Sequence, residues 1–443
     1  MKKKTKILWL FIVAVLVATV VWQYPKLNLI SGFAAKNMAS TVFISNRTQE
    51  SVETIDHDVP LVKLATSEYE DSSRSAFSKV FGLMKREAIC QDGVGCVLIN
   101  DEHDKRINFQ IPVRIFKPDT LPYPYGNSNE IDTLFSNIDY VALSTALDNT
   151  FNETAKTRTA LVLYKGQLLA ERYDDGFTKD TPILGWSMTK SILATLYGIM
   201  EYQGKLSVND PALLPSWQND DRKAITINHL LRMQSGLAWE EDYTKISDVT
   251  QMLFSDTNMT EAQSAKSLVA APTEIWNYSS GTSNLLSGLL RTKFRNYQGY
   301  LNFPYKSLID RIGMHSMLIE TDLAGNFVGS SYGWANTRDW GKFGQLYLNK
   351  GNWNGTQLFD PSWVTYVSTP TKNSNGTYGA HFWLNAEGKY PDVPTDLYSA
   401  NGYQGQYVFI IPSKDLVVVR TGLAEEPDFD ANSFLRDIIA AIH

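Results

Sequence analysis

Ser187-Met188-Thr189-Lys190 sets a hydroxyl and an amine three residues apart at the entry to an apolar run. Ile183-Leu184-Gly185-Trp186 reads as the loop leading in. Ile192, Leu193, Leu196, Ile199 and Met200 then recur at helical spacing, and Gly204 stands where a C-cap is expected. The stretch therefore predicts a buried helix that begins at Ser187. Positions i and i+3 share a helix face, so Lys190 can reach the Ser187 hydroxyl. A serine at a helix N-terminus also meets free N–H groups and the positive end of the helix dipole. A base within reach and a site for negative charge are what an acyl-transfer nucleophile needs. Taken alone, the same four residues also describe a helix cap followed by a solvated lysine, so the flanking sequence has to choose.

Working outward, Thr159-Ala160-Leu161-Val162-Leu163-Tyr164, the turn Lys165-Gly166 and Gln167-Leu168-Leu169-Ala170 predict a hairpin upstream of the helix. A second hairpin lies near the C-terminus, where Tyr407–Ile411 and Leu416–Arg420 flank Pro412-Ser413-Lys414-Asp415. Glu130–Leu147 reads as a helix, and a closing helix runs from Asn432 to Ile442 with Asp430 as its cap. Strands at both ends of a helical middle predict an α+β fold, an α/β sandwich. Its antiparallel sheet is built from both ends of the domain, with flanking helices and an inserted helical subdomain.

The expected boundaries are residues 1–24 for a membrane segment, 25–130 for an N-terminal extension and 131–443 for the main domain. In the extension, Ser40–Ile44, Gly95–Ile99 and Asn108–Ile111 look β-like, Ser75–Val80 looks helical, and Leu121–Gly126 reads as a linker. No catalytic pattern appears there.

A net charge of −6, a pI near 5.6 and the lack of a Lys/Arg stripe in the body argue against nucleic acid as a partner. Lys2, Lys3, Lys4 and Lys6 precede an uncharged apolar stretch from Ile7 to Trp22. Such a start is a signal peptide or an anchor with its N-terminus inside. No small-x-small cleavage site follows closely, which favours the uncleaved anchor. Either way the body is exported: anchored in the inner membrane, it faces the periplasm or the cell exterior. There, Cys90 and Cys96, flanking a Gly-rich spacer, form a disulfide or remain two buried thiols. No Cys/His cluster has metal-ligand spacing, so no metal is expected.

Three more stretches accompany Ser187–Lys190: Leu206-Ser207-Val208-Asn209-Asp210-Pro211, Ile225–Leu237 and Tyr278-Ser279-Ser280. In this order they resemble the serine β-lactamase and penicillin-binding-protein superfamily. The likeness is greatest to its class C-like esterases and to the 6-aminohexanoate-dimer hydrolase (nylon oligomer hydrolase) type. It covers about 131–443. The resemblance implies Ser187 as nucleophile, Lys190 as base, Tyr278 as proton relay, and no cofactor. Asn401-Gly402-Tyr403-Gln404-Gly405-Gln406 resembles the Gly-x-x-Gly-Gln version of the strand beside the nucleophile. The N–H groups of Ser187 and Gln406 then form the oxyanion hole, with Gly405 letting backbone approach substrate. Tyr243 matches a loop tyrosine near the leaving group, and Trp186 and Ser280 complete the implied substrate contacts. No Lys or His stands in 401–406 to grip a substrate carboxylate, which weighs against β-lactamase or D,D-peptidase activity. The implied reaction is hydrolysis of a small-molecule ester or amide. The competing readings are the same chemistry on cell-wall peptides and a non-catalytic binding protein on this fold.

Overall fold

The computed structural model describes residues 2–99, 109–116, 120–128, 131 and 134–443. The chain divides into two compact units. The first comprises Met1–Gln91, Cys96–Ile107 and Glu240–Thr257. The second comprises Asp92–Gly95, Asn108–Trp239 and Asn258–His443.

The first unit is organised by one long helix, α1 (Lys2–Phe43). Strands β1 (Ala65–Glu70), β2 (Ser75–Val80), β3 (Leu83–Gln91) and β4 (Gly95–Ile99) form a sheet in sequential order. Met38 and Ala39 of α1 pack with Val52, Ala76, Ala88, Cys90 and Cys96. Small side chains on both faces let helix and sheet approach closely. Ser40–Phe43 is therefore helical, not a strand: Ala35, Met38, Ala39 and Val42 recur at helical spacing against the sheet, and that burial overrides β-branched propensity. Conversely Ser75–Val80 is a strand, since Ser78 and Val80 turn inward alternately and Ala76 joins the core. Cys90 and Cys96 are joined as a disulfide. The helix Asp248–Phe254 belongs to this unit, its Phe254 carbonyl accepting from Arg86 Nη1 at 2.8 Å.

Residues 7–22 lie within α1, with Ile7 to Val13 exposed. The expected boundary at residue 24 falls inside the helix, which continues because its second half carries the sheet. Among the described residues no helix is long and apolar enough to cross a membrane. Asn108 and Glu130 lie outside the described residues, and 109–111 form no strand.

The second unit is built on a six-stranded antiparallel sheet. Its strands are β5 (Thr157–Tyr164), β6 (Gln167–Tyr173), β7 (Trp383–Leu384), β8 (Tyr398–Gly402), β9 (Gln406–Ile411) and β10 (Leu416–Gly422). Their spatial order is β7-β8-β9-β10-β5-β6. The two ends of the chain meet where β10 pairs with β5, Val419 opposite Leu161. Period-two alternation divides the core. Ala160, Val162, Phe409, Ile411 and Val418 pack under helices α2 (Tyr140–Asp148) and α6 (Ala431–Ala440). Leu161, Leu163, Val408, Ile410, Val417 and Val419 face helices α3 (Met188–Tyr202) and α5 (Thr337–Leu348). Each of the Val, Leu, Ile and Phe side chains among them contributes about 1.5–3 kcal/mol by leaving water.

Helix α2 starts later than the pattern predicts. Asp139 caps it by accepting from the N–H groups of Val141 and Ala142. Helix α6 begins at the expected cap, Asp430. The 121–126 stretch is no loose linker: Tyr123 is buried in the core and donates to Arg338 O at 2.9 Å.

Candidate active site

The short strand Ile183–Leu184 pairs with Gly333–Ala335, and Gly185 N–H continues the pairing to Gly333 O at 2.8 Å. A Cβ on Gly185 would fall 2.4 Å from Trp340, so glycine is required there. Trp186 then adopts a left-handed φ of 47°, which turns the chain sharply into α3 with Ser187 at the N-cap. A bulky residue in that region is strained, and tertiary contacts hold it: Thr189 Oγ1 donates to Trp186 O at 2.7 Å and accepts from Gly333 N–H at 2.9 Å. Ser187 is half-buried, whereas α3 from Met188 to Met200 is buried on every side.

Lys190 is 2% exposed. Its Nζ lies 2.8 Å from Ser187 Oγ, donates to Ser280 Oγ at 3.0 Å, and donates to the Ser330 carbonyl at 2.9 Å. The Nζ also stands 4.9 Å from the centre of the Tyr278 ring. Tyr278 immediately precedes helix α4 (Ser280–Arg291), whose cap Ser279 accepts from Thr282 N–H at 2.9 Å. Two further rings fix the Tyr278 ring, Trp383 at 5.3 Å and Tyr378 at 5.8 Å. Segments some 90 residues apart in sequence thus converge on one amine.

The β8–β9 turn closes the other side. A Cβ on Gly402 would fall 2.1 Å from the Gly185 carbonyl, and Tyr403 meets Trp186 edge-on at 5.7 Å. Gly402 and Tyr403 therefore lie against the Gly185–Trp186 segment that leads into Ser187. Gln406 sits opposite Gly402 across the hairpin, and its side chain is engaged with Gly422, Tyr403 and Gln404 backbone.

The four residues expected as substrate contacts have the following neighbours. Gly405 has a φ of +78°, and a Cβ there would fall 2.1 Å from Ala424 O and 2.3 Å from Arg420 Nη1, so the hairpin's own packing demands the glycine. Ser280 has no exposed surface and contacts Lys190. Trp186 is 6% exposed and packs on Tyr332 and Tyr403. Tyr243 lies in the first unit, where its phenol donates to Glu241 Oε1 at 3.2 Å.

Sequence reading missed the Ser330 carbonyl, because a backbone acceptor leaves no mark in residue type. It also missed the rings of Tyr378 and Trp383, which only the fold brings to Tyr278. His381 is neutral: burial pulls its pKa down to about 3. Its Nδ1 lies 2.7 Å from Leu231 O and its Nε2 2.9 Å from Ser283 Oγ, a structural role. Among the described residues no group of three or more His, Cys, Asp or Glu is placed to hold a metal.

The hydroxyl and the buried amine stand at the start of α3 and the phenol ring just before α4, with the Gly402 end of the β8–β9 turn beside them. A family model described as Beta-lactamase matches residues 150–439. The chain belongs to the beta-lactamase family. Membership makes it a serine hydrolase.

The fold of this beta-lactamase-family chain is shared by several solved structures. A putative 6-aminohexanoate-dimer hydrolase from Bacillus anthracis is 21% identical with a TM-score of 0.56, covering 68% of this chain and 80% of that one. A penicillin-binding-protein homologue from Caulobacter crescentus is 13% identical with a TM-score of 0.56, covering 71% and 100%. A family VIII carboxylesterase is 16% identical with a TM-score of 0.55, covering 68% and 96%. No curated protein sequence matches the chain.

Proposed function

We propose that this protein is an exported, membrane-tethered serine hydrolase that cleaves an ester or amide of a small molecule through an acyl-enzyme on Ser187. The observation that carries the reading is the 2.8 Å contact between Lys190 Nζ and Ser187 Oγ. With its amine neutral, Lys190 takes the hydroxyl proton as Ser187 Oγ attacks the substrate carbonyl. The Ser187 N–H and an amide at the Gly402–Tyr403 end of the turn hold the oxyanion. Tyr278, its ring over Lys190, relays the proton to the leaving group, and water then releases the acyl group by the reverse path.

The choice of ester or amide over β-lactam or D-alanyl peptide follows from the charge beside the site. Residues 401–406 carry no cation, and the nearest guanidinium on the adjoining strand, Arg420, is fully buried. A substrate carboxylate would find no partner at that turn. The reading of export and tethering is supported by Lys2–Lys4 and Lys6 ahead of the exposed apolar start of α1, and by the disulfide.

The test is hydrolysis of a short-chain p-nitrophenyl ester and labelling by a fluorophosphonate probe, full-length wild type beside Ser187→Ala. Turnover and labelling that disappear in the variant support the reading. A folded wild type that neither turns over nor labels overturns it.

A further inference from the structure

Arg420, on β10, has no exposed surface, and among the described residues no carboxylate pairs with it. Burial draws its pKa down to about 9, so it stays a cation at neutral pH. Its donors go to backbone and one hydroxyl. Nη1 donates to Gly405 O at 2.7 Å, Ala424 O at 2.9 Å and Gln404 O at 3.4 Å. Nη2 donates to Ala155 O, Nε donates to Thr157 Oγ1 at 3.1 Å, and the Phe429 ring covers the guanidinium at 4.0 Å.

Burying a guanidinium without an acid is costly, and an apolar side chain of similar volume would fill the space. What the guanidinium adds is directional: five N–H donors in a rigid plane. In a trans peptide the N–H points opposite to the C=O, so fixing a carbonyl fixes the amide behind it. Arg420 thereby sets the 404–405 and 405–406 peptide planes. The carboxylate of Glu425 accepts the Gln404 N–H and sets the 403–404 plane. Gln406 Nε2 ties Tyr403 O at 3.1 Å and Gly422 O at 2.6 Å. Three consecutive peptide planes of the turn are held by side chains, while its Gly402 end rests on the Gly185 carbonyl two residues before Ser187.

We infer that Arg420, assisted by Glu425, is a positioning residue for hydrolysis: it clamps the Gly402–Gln406 turn so that the turn's amide meets the oxyanion formed at Ser187. This rests on the serine-hydrolase reading above. Donors fixed before reaction are worth most in the transition state, so loosening the clamp lowers kcat and leaves KM nearly unchanged.

The experiment compares full-length wild type, Arg420→Lys and Glu425→Ala by kcat and KM on a p-nitrophenyl ester, with fluorophosphonate labelling rates and melting temperatures. Arg420→Lys keeps the cation but loses the fork. Glu425 is exposed, so its truncation leaves the core intact. The expected result is a kcat lowered about tenfold or more in Arg420→Lys and about threefold or more in Glu425→Ala, with KM within about threefold. A folded Arg420→Lys with kcat within twofold of wild type overturns the proposal. Should Arg420→Lys fail to fold, Glu425→Ala decides alone, and an unchanged kcat there overturns it. A wild type without turnover or labelling instead removes the serine-hydrolase reading, and the clamp with it.

Discussion

Lys190 Nζ donates to Ser280 Oγ at 3.0 Å, so the amine beside Ser187 is oriented by a hydroxyl from a different helix, 90 residues further along the chain. With the Ser330 carbonyl at 2.9 Å as the other buried anchor, Lys190 has little freedom to swing away from Ser187. Ser280 thus orients Lys190 without facing solvent.

Replacing Ser280 by alanine removes one of those anchors. Ser280→Ala is expected to lower kcat about ten- to a hundredfold, the scale of a misplaced general base, with a smaller change in KM. Steady-state ester hydrolysis across pH checks this, and the variant's alkaline and acidic limbs should shift relative to wild type. Identical profiles would remove Ser280 from the mechanism.

Gly402→Ala places a methyl 2.1 Å from the Gly185 carbonyl, and Gly185 is itself fixed by its 2.8 Å bond to Gly333. Neither backbone can yield cheaply. The expected cost is about 1–3 kcal/mol of stability, as for other overpacked sites, together with loss of turnover as the turn moves off Ser187. Thermal melts and ester hydrolysis of the same preparation measure both.

His381 supplies a pH dependence whose sign follows from its burial. Its folded pKa is near 3, below the ordinary 6.5, so between those values the unfolded chain binds a proton that the folded chain refuses. Stability contributed by neutral His381 is therefore present above pH 6.5 and lost as pH falls toward 3. Asparagine suits the left-handed φ of 58° at this position and does not titrate. Melting temperatures of His381→Asn between pH 7.5 and 4 should fall less steeply than those of wild type. The slope will not vanish, because burial also lowers the pKa of His57, His229 and His315. Parallel curves for the two proteins would contradict the assignment.

The Cys90–Cys96 disulfide closes a loop with a sequence separation of 6. A loop that short restricts the unfolded chain by about 2 kcal/mol. Hydrogen exchange at the amides of β3 and β4 should accelerate correspondingly when reductant is added, while the six-stranded sheet stays protected. Equal protection in both states would show that the bond is dispensable to the hairpin.

The local chemistry of the site was legible in the residues themselves. Ser187 and Lys190 share a helix face whatever the rest of the chain does, because i and i+3 are neighbours by helical geometry alone. The hairpins at 157–173 and 406–422 were equally readable, since alternation and turn residues act over a few positions. The N-terminal unit was not. Ser75–Val80 and Ser40–Phe43 exchanged their expected states because partners distant in sequence determine which side chains are buried.

The sequence by itself therefore determined the family, the Ser187–Lys190 pair and the pairing logic of the main sheet. Each of these is encoded by spacing within one element or by residue types in a fixed order. Only the tertiary structure decided that Ser280 and the Ser330 carbonyl hold Lys190, that Gly402 abuts the Gly185 carbonyl, and that Arg420 donates to the carbonyls of the turn. These are contacts between groups as far apart in the chain as Gly185 and Gly402, several of them backbone atoms common to every amino acid, and only the folded path of the chain brings them together.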